Sequence, residues 1–144
     1  MINIIALLET PRSLKNISSI AAEKTVKGLA LGGADLSASL GSTMDWDSLL
    51  YARSKIILEA AINNLFSIDS PFMDIENLKA LGEESKKAKM LGFNGKAAIH
   101  PSQIDFINEA FEPTKEEKEE AKKVLEEYQK MDGGAVKIDG KMVD

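Results

Sequence analysis

The chain has 144 residues and no cysteine, with a formal net charge of −5, 44% hydrophobic and 28% charged residues. Its length indicates one domain, and the missing cysteines exclude disulfides, thiolate metal sites and a cysteine nucleophile. No basic patch favours nucleic acid or an anionic membrane, no apolar run approaches the ~20 residues that span a bilayer, and the N-terminus lacks the features of a signal peptide. We therefore expect a cytoplasmic protein that binds neither nucleic acid nor membranes.

The first part of the chain predicts a strand, a helix and a second strand. Residues 2–8 and 26–31 are short apolar runs, typical of buried strands. Between them, apolar residues at helical spacing predict a helix over 13–24. Gly32 and Gly33 follow the second strand and permit a tight turn or the close approach of a ligand.

The middle of the chain repeats this alternation. Capping side chains around Asp45 predict a helix over 47–63, and 66–68 reads as a third short strand. A further amphipathic pattern predicts a helix over 76–91, which Gly92 ends.

The last part begins with a fourth strand at 96–99 and a short helix after Ser102. Thr114 and Glu117 have the spacing of a capping box and predict the start of a charged helix. Near the C-terminus, Asp139-Gly140 lies between two short apolar runs and predicts a β-hairpin.

Strands that alternate with helices predict an α/β fold with parallel strands and right-handed crossovers. Two architectures are compatible with this order: an open, doubly wound sheet, or part of a (β/α)₈ barrel. The periodicity does not separate them.

Two carboxylates follow the first two strands. Glu9 comes directly after 2–8, and Asp35 lies just past the end of 26–31. The carboxyl ends of parallel strands are where α/β folds keep their sites, and paired carboxylates suit Mg²⁺. The alternative is that both residues cap helices or fix loops.

Five motifs occur in order and carry a resemblance to a known family: Leu8-Glu9-Thr10-Pro11, Gly32-Gly33-Ala34-Asp35-Leu36, Leu50-Tyr51-Ala52-Arg53-Ser54, the segment 92–104, and Gly140-Lys141-Met142-Val143-Asp144. In this set the sequence closely resembles the HpcH/HpaI aldolase superfamily, in its citrate lyase beta-subunit-like branch. The resemblance runs over essentially the whole chain.

The resemblance implies a (β/α)₈ TIM barrel in which this chain supplies about the last four βα units. Residues 1–112 would form that C-terminal half, and residues 113–144 an extension of one helix and a terminal hairpin. The first four strands would lie outside this sequence, together with a basic residue that contacts substrate in the family.

The resemblance also implies a chemistry, namely cleavage of a carbon–carbon bond in a 3-hydroxy acyl thioester of the citryl, malyl or citramalyl type. Glu9 and Asp35 match the family's Mg²⁺ ligands, and Gly33 and Ala34 would place backbone N–H groups against the substrate. Asp144 matches an aspartate that acts as acid/base from a neighbouring subunit in some members. As a terminal residue it could equally be a solvated carboxylate.

The implied partners are an acyl-CoA or acyl-carrier-protein thioester and a keto acid. Full-length members assemble as homo-oligomers, trimers or hexamers, and this chain could instead pair with a separate N-terminal half. Three functions stay open: a Mg²⁺-dependent lyase, a non-catalytic or complementing half-barrel, and a diverged binding module.

Four further side chains have a structural and a functional interpretation. Arg53 lies on the apolar stripe of its helix and needs a partner, for which Asp69 or Asp74 is favoured over substrate. For His100, the single histidine, a structural role is favoured. Trp46 and its neighbour Met44 could cover the site, although packing at a helix entry is the default interpretation.

Overall fold

The computed structural model describes residues 2–129, 136–138 and 141–143. The chain divides into two compact units, Met1–Phe111 and Glu112–Asp144. This boundary lies next to the predicted one at 112/113, while the assignment of the two parts as separate domains stays a prediction.

A four-stranded parallel sheet forms the centre of the first unit. Its strands are β1 (Ile4–Leu8), β2 (Val26–Leu31), β3 (Phe66–Asp69) and β4 (Gly95–Lys96), hydrogen-bonded in the order β1-β2-β3-β4. The parallel α/β fold is thereby confirmed. In a barrel, strands that are consecutive in sequence lie side by side, whereas the strand order reverses within a doubly wound sheet. The observed order has no reversal and therefore favours a barrel segment.

Seven helices and one short 3₁₀ helix connect and extend these strands in the described part of the chain. They are α1 (Pro11–Lys15), α2 (Ile17–Ala21), α3 (Gly33–Leu40), α4 (Leu50–Ile62), α5 (Leu78–Leu91), the 3₁₀ helix Pro101–Gln103, α6 (Ile104–Phe111) and α7 (Lys115–Gln129). The last of these belongs to the second unit.

One helix prediction was wrong in detail, and one helix was not predicted. The single helix expected over 13–24 is interrupted at Asn16, which leaves helical geometry and whose N–H donates to the carbonyls of Arg12 and Ser13. Gly32 and Gly33 were expected to permit a tight turn or the close approach of a ligand; Gly33 is the first residue of α3, a helix that the sequence did not predict.

Within the first unit, the described helices cover one face of the sheet. The apolar residues buried on that side include Leu8, Ile17, Leu29, Leu31, Leu36, Leu49 and Ile56. On the other side, Ile5, Leu7 and Phe66 are 57%, 54% and 68% exposed. A cavity of about 460 Å³ lies there between the starts of the strands, lined by Ile4, Ile5, Phe66 and Ile68 among others. The sheet therefore has an apolar face that the described residues leave open.

The second unit contains α7 and a two-stranded antiparallel sheet. The strands are β5 (Val136–Ile138) and β6 (Lys141–Val143), as the hairpin pattern predicted, while the turn at Asp139-Gly140 lies outside the described residues. The predicted capping box is present: the N–H of Thr114 donates to Glu117 Oε2 at 2.8 Å, and the N–H of Glu117 donates to Thr114 Oγ1 at 3.0 Å. Among the described residues, no helix has both the length and the apolar character needed to cross a membrane.

Candidate active site at the carboxyl ends of the strands

Three consecutive strands of the sheet are each followed immediately by a residue of the candidate site. Glu9 follows β1, Gly32 follows β2 and Ser70 follows β3. Because the strands are parallel and adjacent, these residues emerge at one edge of the sheet. The Gly32 N–H extends the pairing past the strand by donating to the Leu8 carbonyl at 3.0 Å.

The side chain of Glu9 lies directly against Gly32. A Cβ atom built on Gly32 would be 2.4 Å from the Cβ of Glu9 and 3.2 Å from its Oε2. Gly32 therefore provides the space that the Glu9 side chain occupies, and any larger residue would displace the carboxylate.

Asp35 lies in the first turn of α3, which starts one residue after Gly32. Its carboxylate is exposed and sits at the positive end of the helix, where a negative charge is favourable. Thus the two predicted metal ligands belong to neighbouring strand–helix connections.

The N-terminus of α3 is open to an anion. Its N-cap residue is Gly32, which makes no side-chain capping hydrogen bond. The first N–H groups of a helix have no partner within the helix and need an acceptor from elsewhere. Gly33 is buried and Ala34 exposed, so the two residues predicted to contact substrate through their backbone lie in this first turn.

Ser70 is a site residue that the sequence did not reveal. Its side chain is fully buried, and its Oγ lies 2.9 Å from the position that a Cβ on Gly33 would take. This hydroxyl has no hydrogen-bond partner among the described residues. Asp69-Ser70-Pro71 reads as a strand breaker in sequence; the available signal was that Ser70 directly follows a buried strand, as Glu9 does.

A buried network of ion pairs lies on the helix-facing side of the sheet. Arg53 Nε is 2.8 Å from Asp69 Oδ1, and Lys96 Nζ is 2.7 Å from both Asp69 Oδ2 and Glu84 Oε1. Two cations are thus balanced by two carboxylates with little solvent access. Of the two partners expected for Arg53, Asp69 and Asp74, the structure shows Asp69, and Lys96 and Glu84 were not foreseen.

Met44 and Trp46 lie in the loop between α3 and α4. The Trp46 ring packs against the Arg53 guanidinium, whose Cζ is 4.4 Å from the ring centroid, and the Trp46 carbonyl accepts from Arg53 Nη1 at 3.2 Å. The Met44 Cε atom lies 3.1 Å from the Cβ position of Gly33. Trp46 therefore packs at the helix entry, while Met44 reaches the start of α3.

A cavity of about 320 Å³ adjoins this loop. Its lining combines apolar side chains with carboxylates, namely Met44, Trp46, Pro71, Phe72, Met73, Asp45, Asp74 and Glu84. A lining of this kind suits an uncharged, partly apolar group and disfavours phosphate.

The remaining motif residues are structural where they are described. Thr10 caps α1 in a reciprocal box with Ser13, each accepting the other's backbone N–H at 3.1 Å. His100 Nδ1 accepts from the Ser102 N–H at 3.2 Å and so caps the 3₁₀ helix, as favoured. Asp144, the predicted acid/base, lies outside the described residues.

The chemistry of these side chains suits a hard cation. The described residues contain no cluster of three or more His, Asp or Glu side chains that could enclose a metal. Mg²⁺, however, is commonly held by one or two carboxylates and completes its shell with water and substrate oxygens. Glu9, set in the space left by Gly32, and Asp35 are the two candidate carboxylates for such a pair.

The chain is similar to a known family and to solved structures. The family model described as HpcH/HpaI aldolase/citrate lyase matches residues 1–101. The chain is 36% identical to the mitochondrial citramalyl-CoA lyase of Rattus norvegicus, covering 99% of this chain and 46% of that protein, and 32% identical to citrate lyase subunit beta of Haemophilus influenzae, covering 97% and 50%. The Mycobacterium tuberculosis protein CitE, solved with magnesium, acetoacetate and coenzyme A, superposes with a TM-score of 0.84 at 33% identity, covering 99% of this chain and 55% of that one. The chain spans about half the length of the curated relatives it matches.

Proposed function

This chain belongs to the HpcH/HpaI aldolase/citrate lyase family, and from that premise we propose that it forms part of a Mg²⁺-dependent lyase that cleaves a carbon–carbon bond in a 3-hydroxy acyl thioester. The products would be an acetyl or acyl thioester and a keto acid. One observation carries the proposal: Glu9, Asp35 and the uncapped start of α3 occupy one edge of a parallel sheet.

Glu9 and Asp35 would hold the metal. The fit rests on the oxygen-only donor set and on the space at Gly32, which a Cβ would fill. When bound, Mg²⁺ supplies Lewis-acid stabilisation of negative charge on substrate oxygens. The CitE structure named above contains magnesium and a keto acid, acetoacetate, which supports both ligands for this site.

The backbone N–H groups of Gly33 and Ala34 would bind the carboxylate of the keto-acid portion. They lie in the first turn of an eight-residue helix whose N-cap has no side-chain acceptor. Oriented N–H groups stabilise negative charge without reorganisation during the reaction. These groups would therefore orient the bond to be broken.

In the cleavage step, the substrate hydroxyl would pass its proton to a general base and become the carbonyl of the keto acid. The electrons of the broken carbon–carbon bond pass to the thioester half as an enolate, which then takes a proton at carbon. Asp144 of a neighbouring subunit remains the predicted acid/base that supplies this proton.

The implied partners are a CoA or acyl-carrier-protein thioester and a keto acid. The names of the relatives support this class, since one is a citramalyl-CoA lyase and another a citrate lyase subunit. The cavity beside Met44 has a lining that would accept an uncharged part of such a thioester. A cytoplasmic location is also proposed.

The test is turnover of citramalyl-CoA and malyl-CoA by the 144-residue chain with Mg²⁺. The keto acid that is released is measured. The matched variants are Glu9→Gln, in the site, and Glu23→Gln, an exposed glutamate after α2. We expect Glu9→Gln to abolish turnover and Glu23→Gln to retain it. Equal activity of both variants would contradict the assignment of Glu9.

A second candidate function is a complementing half-barrel without catalysis of its own. The observation that favours it is the open apolar face with Ile5, Leu7 and Phe66, which a further part of a barrel would cover. Here the chain alone would be inactive, and addition of the first half of a homologous barrel would restore turnover. Turnover by the chain alone would exclude this candidate.

A further inference from the structure

We propose that Ser70 is a positioning residue of the site, whose hydroxyl donates a hydrogen bond to the carboxylate of a keto acid held at the start of α3. The inference rests on the proposed function and deepens it by adding a side-chain donor to the backbone N–H groups of Gly33 and Ala34.

The first observation is the unsatisfied hydroxyl. Ser70 is 0% exposed, and its Oγ makes no hydrogen bond within the described part of the chain. Burying a hydroxyl without a partner costs about 1–3 kcal/mol, and native structures contain few such groups. By contrast, the other fully buried serine hydroxyl, that of Ser85, donates to the Leu81 carbonyl at 2.8 Å.

The second observation is where this hydroxyl lies. Its Oγ is 2.9 Å, and its Cβ 3.0 Å, from the position of a Cβ on Gly33, the first residue of α3. It is therefore next to the helical turn whose N–H groups have no side-chain cap. A hydroxyl donor and the N–H groups of one helix start can serve a single carboxylate, which accepts several hydrogen bonds.

The third observation concerns access. The Met44 Cε atom lies 3.1 Å from the same Cβ position, so a half-buried methionine covers the start of α3 beside Ser70. A methionine side chain has three rotatable bonds and adapts readily to a new neighbour. Rotation of Met44 toward the adjoining 320 Å³ cavity, which it also lines, would admit the ligand.

Ser67 offers a matched control. It is a buried serine of β3, the strand that Ser70 follows, and is 2% exposed, but its Oγ donates to Asn94 Oδ1 at 3.1 Å and it lies three residues before Ser70. Ser70→Ala and Ser67→Ala remove the same oxygen atom from two equally buried positions. Of these two oxygens, only the first lacks a hydrogen-bond partner among the described residues.

The experiment measures Mg²⁺ and pyruvate binding by the wild type and both variants, using calorimetry and the fluorescence of Trp46, the single tryptophan. We expect Ser70→Ala to weaken pyruvate binding about tenfold, the effect of one hydrogen bond to a charged group. Its Mg²⁺ affinity and its Tm should stay at or above the wild-type values. Ser67→Ala should lower the Tm and leave pyruvate affinity unchanged.

Two results would overturn the role of Ser70 alone: unchanged pyruvate affinity in Ser70→Ala, or a joint loss of Tm, Mg²⁺ and pyruvate binding as for a purely structural residue. If the wild type binds neither Mg²⁺ nor pyruvate, the proposed function fails and this inference fails with it. The two failures are thereby distinguished.

Discussion

Arg53 and Asp69 form a buried ion pair, with Nε and Oδ1 2.8 Å apart and side chains 1% and 0% exposed. Asp69 is the last residue of β3 and directly precedes Ser70, so the pair fixes the strand end from which Ser70 emerges. Lys96 holds the second oxygen of the same carboxylate from β4. With Glu84 of α5, the network beneath the site thus joins two helices and two strands.

Replacement of Asp69 is expected to be strongly destabilising. Asp69→Ala would leave Arg53 and Lys96 buried with only Glu84 as a counter-charge, and breaking a buried pair in this way costs about 3–5 kcal/mol. Urea unfolding of the variant measures this loss as a lower free energy of unfolding.

Lys118→Ala is the control for Asp69→Ala. Lys118 pairs with Glu112 at 3.2 Å, but the two side chains are 51% and 70% exposed. Exposed pairs contribute about 0–1 kcal/mol. A loss for Asp69→Ala as small as that for Lys118→Ala would show that the buried network does not stabilise the fold.

Gly32→Ala should perturb the site through Glu9. The added methyl group would lie 2.4 Å from the Cβ of Glu9, so the strand end or the carboxylate must move. Overpacking of this kind costs about 1–3 kcal/mol. We expect a lower Tm and weaker Mg²⁺ binding, measured by thermal unfolding with and without the ion.

Gly82→Ala tests whether that effect is specific. Gly82 lies inside α5, and a Cβ there would meet nothing within 4 Å. Because alanine is the better helix former, this variant should gain up to about 1 kcal/mol. Equal stability of the two alanine variants would contradict the close packing of Glu9 on Gly32.

The first three strands were predictable because each is a short apolar run, and the ends of the first two fixed Glu9 and Asp35 as candidates. The fourth strand was predicted over 96–99 but is Gly95–Lys96. Helix α3 was missed because two glycines normally indicate a turn, whereas here Gly32 makes room for the Glu9 side chain. Ser70 was missed because an unpartnered hydroxyl is a property of packing and leaves no pattern in sequence. Lys96 and Glu84 belong to different elements, so only the fold reveals that they meet Asp69.

Asp45 should contribute to acid sensitivity. Hydrogen bonds from the Thr43 hydroxyl and then from the Ser48 N–H lower the pKa of this carboxyl from 3.8 to about 2. Because the pKa is lowered in the folded state, the stabilisation that the Asp45 carboxylate provides is complete above about pH 4 and is lost as the pH falls toward 2. Asp45→Asn should therefore lose less stability than the wild type between pH 4 and 2.

The comparison requires Tm values of both proteins across that pH range. Asp47→Asn, an exposed change in the same loop, is the control and should follow the wild-type curve. Parallel curves for wild type and Asp45→Asn would contradict a role for the Asp45 carboxylate.

The open face of the sheet predicts self-association of the isolated chain. Leu7 is 54% exposed beside Ile5 and Phe66, and a contiguous exposed apolar surface favours contact with another molecule. Sedimentation should give a mass above 15.7 kDa, and Leu7→Gln should lower it.

Leu58→Gln is the control, since Leu58 is 61% exposed but lies on α4. This variant should associate as the wild type does. A wild-type chain that sediments as a 15.7 kDa monomer would contradict the importance of the open sheet face.

The most direct test of the central claim is a Mg²⁺ titration followed by the Tm of the wild type and of Glu9→Gln/Asp35→Asn. Binding to the folded state adds about 2.7 kcal/mol of stability when the ligand concentration is a hundred times Kd, and the Tm rises accordingly. The account predicts a rising Tm for the wild type and no shift for the double variant. The same shift in both proteins would show that Glu9 and Asp35 do not hold the metal.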